Sequence, residues 1–470
     1  MTSTMIKPYP AYKPTAIPWL QQVPEHWEVL PNRALFTGVK EGGMPEDEML
    51  SVTIGRGVLK QSEHLATTTK KDSSRRDKST YKRVAEGDIV YNKMRAWQGA
   101  FGMSRYQGIV SPAYVVQRPT DKAVPEFYHY LLRTPLFATE AERNSYGLAS
   151  DIWNLRPEHF KTILNVCPPP AEQHLIVRYL RHLEAKVKRY IGAKRKLIAA
   201  LQEQKQAIIQ QAVTRGLDPN VKLKPSGVEW LGEVPEHWEV VPFRALFTER
   251  DTPGGQDMEM LSVTIGRGVL RQEDYLQGSI KRDISRQDRS SYKQVRVSDL
   301  VYNKMRAWQG AFGASNFDGL VSPAYVVLQP TENVHSWYYH HLLRSKAFWP
   351  EAEKWSYGLA SDIWNLRPEH FRLIMTCRPP LNEQVQVVEV LESATSSLTR
   401  TINDVERAVT TMQEYHTRMI TDVVTGAVDV REAARELPEL DQTIRQLDDQ
   451  TMEEEPLSMA AEGEEAYGEE

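Results

Sequence analysis

The sequence predicts an α+β fold: two near-identical αβ domains in tandem, each followed by a long helix, the two helices pairing as an antiparallel coiled coil with pseudo-two-fold symmetry. Three observations predict it. The chain repeats itself without a gap at an offset of 211 residues, 13–218 falling on 224–429. Each copy opens with short apolar runs punctuated by Gly and Pro, the mark of brief strands and turns. Each copy then closes with a proline-free stretch whose apolar residues fall three and four apart. A period this long is no solenoid repeat of roughly 20–50 residues, and each copy is large enough for its own core.

Taken in order, residues 1–15 form an N-terminal extension without the apolar core of a signal peptide. The first αβ domain is expected over 16–170. In it Met49–Ile54, Asp88–Tyr91 and Ile109–Val116 read as strands, and helices are expected near Pro125–Leu132 and Pro135–Arg143. Their irregular spacing argues for α+β rather than a doubly wound parallel sheet. Pro168, Pro169 and Pro170 end the domain, and a helix follows over 171–215. Ile176, Leu180, Leu183, Val187, Tyr190, Leu197, Leu201 and Ile208 mark its seam. A linker (216–226), a second αβ domain (227–381) and a second long helix (382–430) repeat the plan. The second seam reads Val387, Leu391, Ala394, Leu398, Val405, Ala408, Met412, Tyr415 and Met419. Helices of this length span roughly 65–70 Å, and so narrow an apolar stripe needs a partner, of which its own copy is the nearest. Antiparallel pairing would relate the two domains by a dyad, the symmetry with which a protein meets two DNA half-sites of opposite polarity.

Composition narrows the compartment and the partners. No stretch approaches the ~20 apolar residues of a membrane span. The two cysteines, Cys167 and Cys377, occupy non-equivalent repeat positions, which argues against a disulfide or a cysteine zinc site and for a reducing cytoplasm. The net charge of −4 conceals a division: 439–470 carries twelve acids and one base (−11), leaving 57 Lys+Arg against 50 Asp+Glu (+7). The segment 431–470 is too acidic and too poor in aromatics to fold alone and reads as a disordered tail. The mildly basic body permits DNA binding.

Signals of catalysis are sparse. Neither a GxxxxGK[ST] loop nor a helix-opening GxGxxG occurs, and the GRG at Gly55–Gly57 and Gly266–Gly268 reads as a tight turn. SPAY (Ser111–Tyr114 and Ser322–Tyr325) is similar to the tetrapeptide with which amino-methyltransferases hold a flipped adenine. Its third residue is Ala, however, and a strand-entry turn is the better reading. His26 and His237 sit beside Trp, where packing outranks ligation, and Glu184–Lys186 lies on a helix without a partner acid.

Nucleic-acid signals are stronger. YNKMRAWQG gathers Tyr91, Asn92, Lys93, Arg95, Trp97 and Gln98, repeated as Tyr302, Asn303, Lys304, Arg306, Trp308 and Gln309. Arg forks onto guanine, Asn and Gln pair bidentately with adenine, and Lys supplies charge to phosphate. Upstream, Lys70, Lys71 and Arg75, and Lys281, Arg282 and Arg286, lie among Ser and Thr in loops suited to phosphate contact. SYGLASDIWNLRPEHF (Ser145–Phe160 and Ser356–Phe371), the longest identical stretch, reads at least as well as a structural element.

Four phrases carry a resemblance to a family. IPWLQQVPEHWEVLPNRALF (Ile17–Phe36) and SGVEWLGEVPEHWEVVPFRALF (Ser226–Phe247) resemble the start of the target-recognition domains in specificity subunits of type I restriction–modification systems. CPPPAEQHLIVRYL (Cys167–Leu180) and RPPLNEQVQVVEVL (Arg378–Leu391) are similar to that family's P-x-x-EQ entry into its spacer helices. The resemblance covers about residues 13–430. It implies a scaffold without catalysis of its own, bearing double-stranded DNA on its two recognition domains. It implies two methyltransferase (modification) subunits and motor-nuclease (restriction) subunits as partners, with S-adenosylmethionine, ATP and Mg2+ on those partners and no cofactor or metal on this chain. Recognition domains in that family usually differ; here they are near-copies, so the half-sites are expected to be alike and inverted. Other readings are the recognition subunit of a related two-component restriction enzyme, a palindrome-binding coiled-coil scaffold or repressor, and a methyltransferase built on paired SPAY domains.

Overall fold

The computed structural model describes residues 7–44, 46–66, 78, 80–147, 153–255, 257–276, 289–358 and 364–438. They divide into two compact units, one of residues 1–194 with 407–470, the other of 195–406. Each unit therefore holds one repeat's αβ domain and parts of both long helices.

In the first unit a four-stranded antiparallel sheet runs Phe36–Gly38, Tyr114–Pro119, Ile89–Asn92, Phe101–Met103. Its strands alternate side chains between two cores, as a period of two requires. Ile89, Tyr91, Phe101 and Val115 enter a large aromatic cluster with Phe36, Phe127, Tyr128, Phe137 and Phe160. Val90, Ala100 and Val116 enter a smaller one, covered by the hairpin Leu50–Thr53/Gly57–Lys60 and the pair Lys82–Val84/Gly108–Val110. Helices Pro125–Leu131 and Pro135–Arg143 pack their buried faces on the large cluster. The second unit repeats the sheet as Phe247–Glu249, Tyr325–Pro330, Leu300–Asn303, Phe312–Ala314, with its own two clusters. The single strand expected over 109–116 is two: Ser111-Pro112-Ala113 turns the chain, Tyr114 N–H donating to Ser111 O at 3.0 Å. The segments on either side pair with different strands.

One buried carboxylate in each sheet is neutralised differently. Asp88 accepts Arg118 Nε and Nη2 at 3.0 and 3.1 Å; Asp299 accepts Arg250 at 2.8 and 3.2 Å. Arg118 and Arg250 are not equivalent, since Gln329 and Val39 stand at the matching positions. Each repeat thus delivers a guanidinium to the same acid from a different place in the chain, Arg118 from the strand Tyr114–Pro119 and Arg250 from just past the strand Phe247–Glu249. An unpaired buried carboxylate costs about 3–5 kcal/mol, so Arg250→Val should lower the unfolding free energy by about 3 kcal/mol. Arg118→Gln should cost less, because that side chain is 43% exposed against 12% for Arg250. Val39→Arg should recover most of the loss in Arg118→Gln. Urea denaturation checks the order, and a lack of rescue would discard the pairing as the cause.

The long helices run Pro170–Arg215 and Leu381–Val424. In the first unit Ile176, Leu180 and Leu183 share a core with Met419, Ile420 and Val423; in the second, Ile209 and Val213 share one with Val387 and Leu391. The start of each helix thus meets the end of the other, which is antiparallel pairing. Of the expected seam, Leu180, Val187, Leu391 and Val405 are buried, and Leu183, Leu201, Leu398 and Met412 partly so. Leu197 is a correction: it is 41% exposed, and Ala394 and Tyr415 also face outward. A strict heptad and a 3.6-residue helix drift apart by ~20° per heptad, so the buried row passes to Ile191, Thr395, Ile402 and His416. The Glu184 carboxylate lies in this interface, accepting from Tyr130 Oη at 3.0 Å and paired with Lys188 at 3.5 Å.

Each helix starts from a shared joint. Glu172 accepts Trp27 Nε1 (3.0 Å), Tyr9 Oη (2.7 Å) and bonds His26 Nε2 (2.7 Å); Glu383 holds Trp238 and His237 in the same way. Burial, reinforced by Glu172, pushes the Tyr9 hydroxyl far above its ordinary value and keeps it a donor. Gln173, fully buried, accepts from Val124 N–H and donates to Lys122 O and Pro168 O. Gln384 does the same with His335, Asn333 and Pro379. Both helices end on a left-handed glycine: Gly216 (φ 77°) against Trp238 and Gly426 (φ 81°) against Trp27. A Cβ on Gly426 would sit 2.5 Å from Pro24 Cδ, so no other residue fits that turn. Beyond it Asp429 N–H donates to Lys7 O at 2.7 Å, and Val430 enters the first core.

Candidate nucleic-acid interface

The repeated block at Tyr91 leaves the sheet as a closed loop. Asn92 Oδ1 accepts Met94 N–H at 3.0 Å, a short 3-10 turn covers Ala96–Gln98, and Gly99 at φ 83° reverses the chain. Ala100 O then accepts Asn92 N–H at 3.1 Å. The second repeat matches: Asn303 Oδ1 caps Met305 N–H at 2.9 Å and Gly310 sits at φ 85°.

This geometry sorts the candidates. Tyr91 and Tyr302 are corrected: both have no exposed surface and lie against Phe101 and Phe160, and Phe312 and Phe371. Burial raises their hydroxyls well above the ordinary value, so they are core groups rather than DNA contacts. Trp97 and Trp308 hold the loop: each donates Nε1 to the Met carbonyl at 3.1 Å and meets Trp153 or Trp364 edge-on at 5.6 and 5.5 Å. The oxygens of Asn92 and Asn303 are engaged in the caps. What remains at the surface is Lys93, Met94, Arg95 and Gln98, with Arg95 Nη1 donating to Gln98 Oε1 at 3.1 Å. Lys304, Met305, Arg306 and Gln309 occupy the same places in the second repeat, Arg306 partly buried. Lys70, Lys71, Arg75, Lys281, Arg282 and Arg286 lie outside the described residues.

The three repeated phrases converge on one lysine backbone. Lys93 N–H donates to Ala113 O of SPAY at 3.1 Å, and Lys93 O accepts Leu155 N–H of the SYGLASDIW phrase at 2.9 Å. Tyr146 and Asn154 exchange both backbone bonds at 3.1–3.3 Å, closing that phrase on itself. Lys304 joins Ala324 and Leu366, and Tyr357 joins Asn365, in the same way. The junction of this phrase with the lysine loop is not evident from residue spacing; its identity between repeats is the signal.

Charge gathers at this place in the first repeat. Burial, and then the charge of Lys93, lower the Lys82 ammonium from its ordinary value, while Lys82 Nζ donates to Tyr114 O at 2.7 Å. The equivalent Lys293 instead faces Glu249 and Asp251 at 3.4 and 3.0 Å. A basic surface with exposed guanidinium and amide suits contact with phosphates and base edges. Among the described residues no group of three His, Cys, Asp or Glu is arranged to hold a metal, and no helix is long and apolar enough to cross a membrane.

No family model and no curated protein matches the chain. Solved structures do. A chain from a study of the assembly and conformational transition of the type I R-M (restriction–modification) system superposes with a TM-score of 0.56 at 14% identity, over 86% of this chain and 99% of that one. The HsdS subunit from Thermoanaerobacter tengcongensis gives 0.42 at 16% identity, over 86% and 96%. The S subunit of a type I system from M. genitalium gives 0.31 at 11%, over 84% and 96%. At such identities it is the fold that is shared: this chain is built like a chain of the type I R-M system, over most of its own length and nearly all of the other's.

Proposed function

We propose that the chain is the DNA-specificity subunit of a type I restriction–modification complex. It reads a bipartite site, one half per repeat, and carries no catalysis of its own. The observation that carries this reading is the surface built twice from the same three phrases, at Lys93 and at Lys304, on domains joined through antiparallel helices. The fold it shares with a chain of a type I system supports it. In this reading two adenine-N6 methyltransferase subunits and motor-nuclease subunits assemble on the chain in the cytoplasm. Those partners bring S-adenosylmethionine, ATP and Mg2+. Extruding the target adenine costs a few kcal/mol, and this chain contributes by placing the methyltransferase beside it.

Because the surfaces are near-copies, the half-sites are the same or nearly the same sequence, inverted. Any difference between them traces to the 71–83 and 282–294 segments, which include Lys82 and its acid-flanked equivalent Lys293. A genome-wide map of N6-methyladenine with and without the gene tests both levels. Loss of methylation at a split inverted repeat is expected. A split motif with unlike halves would end the symmetry argument and keep the function; unchanged methylation would favour a scaffold or repressor.

A further inference from the structure

Tyr146 and Tyr357 are 60% and 58% exposed, whereas the other large aromatic side chains of these two domains are buried or partly so among the described residues. Apolar surface left singly on a protein needs no explanation, but here the same ring is exposed at the equivalent place in both repeats. Its backbone is pinned to Asn154 or Asn365 from both sides. The ring of Tyr146 rests edge-on against His159 at 4.7 Å, that of Tyr357 lies tilted against His370 at 4.9 Å, and both rings remain largely exposed. Two backbone bonds away stands the Lys93 or Lys304 loop, whose next residue, Met94 or Met305, is itself 47% or 43% exposed. Each repeat therefore presents an exposed aromatic ring whose backbone is joined, through Asn154–Leu155 or Asn365–Leu366, to the loop that carries an exposed thioether, a lysine and an arginine.

Resting on the DNA-recognition reading, we infer that Tyr146 and Tyr357 are base-step wedges: each ring enters the stack of one half-site and partly unstacks it, with Met94 or Met305 beside it. The chemistry fits this partner better than a protein surface. Cations on the loop joined to each ring's backbone suit phosphates, and every base offers a π-face on which a tyrosine can stack. An opened step next to the target adenine would ease its extrusion by the methyltransferase. Tyr146 and Tyr357 would be positioning residues, acting through the DNA.

The test uses the full chain and duplexes of the mapped site carrying 2-aminopurine at one position at a time. Wild type should raise the fluorescence at one step in each half-site. Tyr146→Ala should abolish the rise in one half and Tyr357→Ala in the other, each weakening binding about 5–150-fold. Tyr146→Phe and Tyr357→Phe should keep both signals, and unchanged thermal melts would exclude misfolding. Wild-type binding without any fluorescence rise would overturn the wedge, as would Ala variants that keep it. Ala variants that bind DNA normally but lose co-purification of the methyltransferase would also overturn it, assigning the rings to a protein contact. A wild type that binds no DNA would instead bring down the recognition reading beneath it.

Discussion

Replacing Arg95 and Arg306 together by Ala is expected to erase sequence-specific DNA binding while leaving non-specific binding. Each single change should relax discrimination in one half-site, by about 1–3 kcal/mol for a bidentate contact to guanine. The effect should centre on these side chains because the Asn oxygens of the block are engaged in caps and its Trp Nε1 groups on Met carbonyls. Asn92→Ala should accordingly weaken binding by disordering the loop without favouring a new base. Binding competition against a panel of single-base variants, repeated at several salt concentrations, separates these cases. A uniform loss on all sequences, with the salt slope reduced by about one, would make Arg95 a phosphate clamp.

The second large effect is expected at the base of the helices. Gln384→Ala removes three hydrogen bonds at once and leaves the buried Pro379 carbonyl and the half-buried His335 N–H without that partner, while the Asn333 carbonyl lies on an exposed residue. At about 1–3 kcal/mol for each buried group orphaned, the second unit should lose about 2 kcal/mol, and Gln173→Ala should cost the first unit more, because it orphans both the buried Val124 N–H and the buried Pro168 O. Gln384→Glu should not rescue it, since a carboxylate would face two carbonyl oxygens. Urea unfolding of the variants measures this; losses below about 0.5 kcal/mol would show the joint to be dispensable.

The large plan was legible because the repeat and the two proline-free stretches are signals that survive local error. The four phrases that carry the family resemblance turn out to form the EHW–EQ joint, so what marks the sequence most clearly is a structural clamp. The candidate DNA-contact residues were harder to sort. Ile89-Val90-Tyr91 is an unbroken apolar run, the pattern of a strand covered on both faces. Tyr91 therefore belonged to the core, although its neighbours reach the surface. The seam failed at Leu197 because a heptad was imposed on a helix that keeps its own period. Glu184 could not be read at all, because its partner Tyr130 lies 54 residues away along the chain. The Asp88 and Asp299 pairings were in principle readable, since Arg118 over Gln329 and Val39 over Arg250 is a compensated exchange visible on comparing the repeats.

The turn at Gly426 also fixes an order of events during synthesis. The first αβ domain completes its core with Val423, Val424 and Val430, and Tyr12 reaches Ala427 across 415 residues. The second unit is one continuous segment, 195–406. At about 5–20 residues per second, the ribosome needs roughly 10–40 s to make that segment before the missing piece of the first unit emerges. The domain translated first is therefore finished last. Until then the apolar pocket around Trp27 waits open on the nascent chain, a stretch of time in which a chaperone, or the wrong copy of the same helix, could occupy it.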